Sequence, residues 1–247
     1  MLMGDPPPTG GDWYFRLLGI PVRVHPFFWL IALLLGLNRG GDHIAAFFLW
    51  ILAMFLSVLV HEMGHALTMR AYGFQPRVTL YGLGGFASYG PGQSRDQGTV
   101  GQILISFAGP GSQFLLVAAL VAILKATGHD VLIYRWGPVF FAFTGETVVS
   151  WAITVLLDDL MLVSVFWGAL NLVPVYPLDG GQIAREILVA ANPREGISQS
   201  LILSMVAAVA MMLVGAQLKD LFVILLFGYL GYASYQTREK YLNQRGW

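Results

Sequence analysis

The stretch IAAFFLWILAMFLSVLVHEMGHALTMR, residues 44–70, decides how this chain is read. Residues 44–60 contain no ionisable side chain, and then His61, Glu62 and His65 arrive within five positions. A membrane span needs about 20 apolar residues, so the run predicts a transmembrane helix that carries three titratable groups toward its end. Such groups are costly inside a bilayer and mark function by default.

The rest of the chain agrees with a membrane setting. It has 247 residues, 56% hydrophobic and 11% charged, with a mean hydropathy of +0.66. Soluble domains carry about 25% charged residues. No Asp, Glu, Lys or Arg falls between Gln97 and Leu124, or between Leu160 and Leu178. The fold expected is an all-α polytopic membrane protein with about six transmembrane helices. The spans fall near residues 26–38, 42–70, 99–124, 160–178, 198–216 and 221–235. The alternation Ile20, Val22, Val24 predicts a short strand before the first span. The Gly- and aromatic-rich residues 74–91 predict a small membrane-associated β-hairpin or sheet near the cytoplasmic face.

The Gly/Pro-rich start, residues 1–14, reads as a disordered tail. Residues 15–236 read as one membrane-embedded domain with its core over about 43–182, and 237–247 as a cytoplasmic tail. With the N-terminus inside, the inner segments hold Arg16, Arg23, Arg70, Arg77, Arg95, Arg185, Arg194, Arg238, Lys240 and Arg245. The outer ones hold Arg39, Lys125, Arg135 and Lys219. That asymmetry favours both termini in the cytoplasm. A net charge of zero argues against a nucleic-acid partner, and the absence of cysteine excludes a thiolate metal site.

His61 and His65, four apart, project from one helix face. Zinc accepts neutral imidazole nitrogens, so two ligands a turn apart can share one ion. Glu62 then lies beside a water whose pKa zinc lowers toward about 7 and can take its proton. His-Glu-x-x-His on a helix is the metalloprotease signature for this reason. Shuffling this composition produces the pattern in about one chain in 500, before its place at the end of an apolar helix is required. A catalytic zinc takes a third protein ligand. The donors open to that role are His25, His43, His129, Glu146, Asp158, Asp159 and Asp179. His43 opens the motif helix, a membrane thickness from His61. Asp179 follows an apolar run broken by Pro174 and Pro177, with Gly180 and Gly181 allowing close backbone approach. By itself Asp179 reads more readily as a polar residue at a helix end.

His61-Glu62-x-x-His65 together with Asn171-x-x-Pro174-x-x-Pro177-Leu-Asp179-Gly-Gly resembles the site-2 protease family of intramembrane zinc metalloproteases, peptidase family M50. The resemblance runs from about Phe15 to Gln182. It implies one zinc per chain on His61, His65 and Asp179, with Glu62 as general base. It also implies that Asn171 and Pro174 hold a substrate strand, and that Gly84, Gly85 and Phe86 in the hairpin present a strand edge to it. The family's Gly-Pro-x-x-Asn pattern stands here as Gly109-Pro110-Gly-Ser-Gln113, with Gln in place of Asn. No PDZ-like insert separates the motifs and no CBS domain follows the last span, so the chain resembles compact members, found in bacterial or archaeal cytoplasmic membranes. The implied partners are a transmembrane protein substrate and the lipid bilayer. A metal-ion transporter and a catalytically silent scaffold are the competing classes. A transporter would spread polar sites along a path, and a silent relative would lose a ligand or the glutamate.

Topology constrains the region between the motifs. If His61 and Asp179 lie at the same depth, residues 125–159 stay outside. Residues 137–157 are then a re-entrant or interfacial helix, or an extension of the next span, with Glu146 on the polar face.

Overall fold

The computed structural model describes residues 6–37, 43–82, 84–89 and 98–244. Contacts divide the chain into two compact units. One comprises Asp5–Arg95 and Ala108–Ala169; the other comprises Met1–Gly4, Asp96–Phe107 and Leu170–Trp247.

The first unit is organised around a four-stranded sheet. Strands β1 (Trp13–Leu17) and β2 (Ile20–Val24) form a hairpin, and helices α1 (Pro26–Gly36) and α2 (Ile44–Ala71) follow. Strands β3 (Pro76–Tyr81) and β4 (Gly84–Tyr89) complete the order β1-β2-β3-β4. The β2–β3 pair is parallel, with Val22 opposite Val78 and Val24 opposite Leu80. Parallel neighbours need a long crossover, which α1 and α2 supply. The alternation in β2 turns Ile20, Val22 and Val24 inward, where with Val78 and Leu80 they pack on Phe28 and Ala32 of α1 and on Met54, Val58, Met63 and Ala66 of α2. The sheet therefore lies along the half of α2 that carries His61, Glu62 and His65.

Strand β1 was not anticipated. The β1–β2 turn places a leucine, Leu18, at φ 51 ahead of Gly19 at φ 80, and a left-handed leucine is uncommon enough to hide a turn from sequence reading. The N-terminal segment, expected to be disordered over 1–14, is described from residue 6. Arg23 donates to the Pro6 and Pro7 carbonyls at 2.8 Å each and to Asp12 Oδ2 at 2.8 Å. Burial works to raise the Asp12 carboxyl, but hydrogen bonds from Thr9, Arg23 and Tyr14 outweigh it and hold it well below the usual carboxylate range.

Helix α3 (Gly98–Ala126) leads to a second, two-stranded sheet, β5 (Val131–Trp136) and β6 (Val139–Thr144), and then to α4 (Trp151–Asn171). This corrects the expectation of a helix across 137–157. Gly137, at φ 58, and Pro138 form a tight turn, and only the part from Trp151 onward is helical, as an extension of the next helix. The Val-Phe-Phe-Ala-Phe run of β6 has no polar alternation, so periodicity could not separate strand from helix. Asp158 ties the hairpin to α4, accepting from the Thr144 backbone N–H at 2.7 Å and its hydroxyl at 3.1 Å. Glu146 is exposed in the loop between β6 and α4.

In the second unit, α5 (Asp179–Ala191), α6 (Gly196–Leu218) and α7 (Leu221–Gln244) follow an irregular segment over residues 172–178. Helices α2, α3, α4 and α6 are long and apolar enough to cross a membrane. Helix α1, at 11 residues, is shorter, and α7 carries Arg238, Glu239 and Lys240. Side chains such as Ile202, Val206, Val209 and Leu213 of α6 stand exposed. On a soluble protein a patch of that kind would be a liability; this is an integral membrane protein.

Because Asp158 holds the second hairpin through charge-assisted bonds, Asp158→Ala should cost about 1.5–3 kcal/mol. It should also release the Thr144 amide to faster hydrogen exchange while the amides of β3 keep their protection.

Candidate active site

In α2 the imidazoles of His61 and His65 are buried, with their Nε2 atoms 3.1 Å apart. Two ligands of a tetrahedral ion at about 2.0–2.1 Å would stand about 3.3 Å apart, so the pair already has close to the spacing of a shared cation.

The hydrogen bonding of His61 Nδ1 can be derived from its neighbours. Gln113 of α3 is 0% exposed and its Oε1 lies 3.0 Å from His61 Nδ1. Its amide nitrogen donates to Ser57 Oγ at 2.8 Å and to the Ser57 carbonyl at 3.3 Å. A backbone carbonyl can only accept, so that end of the amide is the NH2 and the end facing His61 is the acceptor. His61 Nδ1 therefore donates to Gln113 Oε1, and Nε2 is the nitrogen that faces His65. Ser57 in turn pairs with Ser164 of α4 at 2.9 Å. A relay of three buried side chains thus fixes the hydrogen bonding and ring angle of one candidate ligand, as outer-shell groups do at metal sites.

Close approach of α3 to α2 depends on missing side chains. A Cβ on Gly64 would collide with the Ala108 carbonyl and lie 2.7 Å from Ser112 Oγ. A Cβ on Gly109 would collide with His65 Nε2 and lie 2.8 Å from His61 Nε2. The space where the two nitrogens converge is open only because residue 109 is glycine. Ser112 closes the contact by donating to the Val60 carbonyl at 2.9 Å. The donor types, their spacing, the Nδ1 hydrogen bond and this glycine-lined space fit a divalent metal ion.

Glu62 is buried and packs against β4: a Cβ on Gly85 would lie 2.8 Å from Glu62 Cγ and 2.8 Å from the Thr79 carbonyl. Gly84 comes near the Trp167 indole, and Phe86 pairs with Thr79 across β3–β4. The first unit thus brings His61, Glu62, His65, Gly84 and Gly85 into one neighbourhood.

In the second unit Asn171, buried, ends α4, and Pro174 lies in the irregular segment. Asp179, 7% exposed, is the first residue of α5, where a carboxylate meets the positive end of the helix dipole. Gly180 and Gly181 let α5 fold back on its approach. A Cβ on either would strike backbone atoms of Leu172–Tyr176. The segment is held from both sides: the Tyr176 N–H donates to Ser204 Oγ at 3.0 Å, and Ser234 Oγ donates to the Tyr176 carbonyl at 3.1 Å.

Four of the other donors open to a third-ligand role have other contacts. His25 caps α1 by accepting from the Phe27 N–H at 3.1 Å, His43 lies against Trp151, His129 pairs with Thr127, and Asp158 holds the β5–β6 hairpin. Sequence reasoning left Gln113 without a role. The signals for it were its place in the Gly109-Pro110-Gly-Ser-Gln113 pattern and an uncharged amide in the middle of an apolar helix.

Two substitutions separate these contributions. Gln113→Leu keeps much of the volume but removes the acceptor, and should weaken metal affinity about 10- to 100-fold, with Gln113→Asn intermediate. Gly109→Ala should abolish metal binding. Competition of the purified protein against a chelator measures both.

Comparison with known proteins places this geometry. The profile described as Peptidase family M50 matches residues 49–214. A zinc metalloprotease of Methanocaldococcus jannaschii is 28% identical over 176 residues, covering 70% of this chain and 44% of the relative. A relative from Synechocystis sp. is 28% identical over 196 residues, 73% of this chain and 45% of its own length. The chain spans under half the length of these curated relatives. The solved structure of the site-2 protease from Methanocaldococcus jannaschii matches with a TM-score of 0.58 at 23% identity, over 92% of this chain and 95% of that one; the two share a fold. With the profile covering the His-Glu-x-x-His helix, the Gln113 relay and the Asp179 turn alike, the chain belongs to peptidase family M50.

Proposed function

We propose that this protein is an intramembrane zinc metalloprotease that hydrolyses peptide bonds in or near the transmembrane segments of membrane-protein substrates. The observation that carries the reading is the buried His61–His65 pair with its Nε2 atoms 3.1 Å apart, set beside Glu62 on a span otherwise free of charge up to His61. The similarity to proteins named zinc metalloprotease and site-2 protease supports the same class.

In this reading His61, His65 and Asp179 hold one zinc. When bound, zinc supplies Lewis-acid chemistry, polarising the scissile carbonyl and acidifying water toward pKa ~7. Glu62 is the general base: its carboxylate takes a proton from the attacking water and returns it to the departing amine. Gln113 holds His61 through Nδ1, so that Nε2 is the nitrogen presented to the metal. Burial among apolar helices limits competing water, so charge on Glu62 and the ligands is weakly screened.

Strand β4, the outer strand of its sheet among the described residues, passes Glu62 at Gly85. We read Gly84, Gly85 and Phe86 as the edge that takes an extended substrate by strand addition. We read Asn171 and Pro174 as further residues that hold the substrate strand. A helical substrate must unwind to enter, because its carbonyls are otherwise bonded within the helix. The membrane arrangement we favour has six apolar elements, α1 and α7 with the four longer helices, and both termini in the cytoplasm.

Reconstituted protein with tagged membrane substrates tests the chemistry. Glu62→Gln should lower cleavage about 10²- to 10⁴-fold while zinc stays bound, and persistent cleavage would refute the mechanism. Asp179→Ala should lose zinc; undiminished zinc content would remove Asp179 from the ligand set. Gly85→Val, which fills the space beside Glu62, should reduce cleavage at least tenfold with zinc retained.

A further inference from the structure

The outer face of the β1–β3 sheet carries a feature that proteolysis does not use. A groove of about 1250 Å³ runs along it, bordered by Arg16, Arg23, Arg70 and Arg77, with no carboxylate among its lining residues. Strand register explains the grouping. Ile20, Val22 and Val24 face the core, so Pro21 and Arg23 face outward. Arg16 lies opposite Pro21, and Arg77, one residue before Val78, shares that outer face.

The four cations differ. Arg23 is neutralised by Asp12 and anchored by the Pro6 and Pro7 carbonyls. Arg16 and Arg77 are exposed, and among the described residues they make no side-chain hydrogen bond or ion pair. Arg70 uses one N–H on the Leu18 carbonyl, keeping the other donors of its guanidinium.

That last bond also sets the depth. Helix α2 has 28 residues, about 42 Å at 1.5 Å per residue, which matches a bilayer of about 40–45 Å including its headgroups. Arg70, one residue before the helix end, then stands at headgroup level. It holds the β1–β2 turn there in a backbone conformation that leucine rarely adopts, φ 51, with the Leu18 side chain 64% exposed. Leu17, Trp13 and Tyr14 beside it are exposed as well.

We propose that this arginine-lined groove, with the Leu17–Leu18 turn beside it, is a docking surface for anionic phospholipid headgroups of the leaflet at which α2 ends. Guanidinium groups match phosphate oxygens in planar, two-point fashion. Arg16, Arg70 and Arg77 keep their charge available, and each basic residue next to a span attracts anionic lipid by about 1 kcal/mol. A ligand that joins a phosphate to acyl chains engages both the arginines and the leucines. A free anion would gain nothing from the leucines.

The test uses the full chain in phosphatidylcholine bilayers with and without phosphatidylglycerol, followed by hydrogen exchange over residues 14–23 and by counting lipids retained after mild extraction. Phosphatidylglycerol should protect these amides and be retained in preference to phosphatidylcholine. Arg16→Gln with Arg77→Gln should weaken that preference roughly 30-fold, at about 1 kcal/mol per basic residue. Arg16→Lys with Arg77→Lys should keep most of it, and Leu18→Ser should weaken lipid retention with the arginines intact. Two results would overturn the proposal: equal retention of phosphatidylglycerol by wild type and the glutamine pair, or protection of the same amides by inorganic phosphate alone. Should the glutamine pair fail to fold, absence of any phosphatidylglycerol preference in the wild type would still be decisive against it.

Discussion

Three ionisable side chains within five positions of an apolar helix impose the constraint that the surrounding structure meets. Desolvating an imidazole or a carboxylate is expensive unless each is bonded or shares a charge. The protein answers locally. Gln113, itself fully buried, gives His61 an acceptor and is satisfied in turn by Ser57, which pairs with Ser164. Glycines at 64 and 109 let α3 come near enough for that amide to reach and leave room where the two Nε2 atoms converge. On another side the sheet brings the backbone of β4 against Glu62, and this works because residue 85 has no side chain.

The second unit solves a related problem with backbone. Irregular chain leaves buried peptide groups unbonded unless other groups of the protein satisfy them. Between Asn171 and Asp179 the turn is closed by its own bonds, Val175 N–H to the Val173 carbonyl and Leu178 N–H to the Val175 carbonyl, and by the hydroxyls of Ser204 and Ser234 from two helices. Glycines 180 and 181 then seat the first turn of α5 on the same segment.

How far the sequence could be read follows from the range of each interaction. The spacing of His61 and His65 is intrahelical, and it was legible because one helical turn is enough to define a shared face. The alternation of β2 was legible for the same local reason, and the break at Pro174 and Pro177 could be anticipated from proline's missing donor. What was hidden depends on other segments. Strand β1 is joined through Leu18, whose left-handed backbone is held by Arg70 from 52 residues away. The β5–β6 hairpin is apolar throughout its second strand, so the alternation that marks a half-solvated strand is absent. Gln113 looked like a departure from a familiar pattern. Its purpose emerges only when Ser57, His61 and Ser164 are seen around it, and one extra methylene relative to asparagine is part of how it spans the gap between helices.

Strand β4 has one further consequence. Among the described residues it is an edge strand, and an edge with open backbone groups is a template for any extended chain, including a second copy of the same protein. The two glycines at its start, Gly84 and Gly85, weaken strand pairing because they contribute no side-chain contacts. The same absence of side chains that admits Glu62 therefore makes the edge a poor nucleus for self-association. Replacing these glycines with residues that favour strands would trade selectivity in what may pair for adhesiveness, and crowding in the membrane would make that trade visible as aggregation.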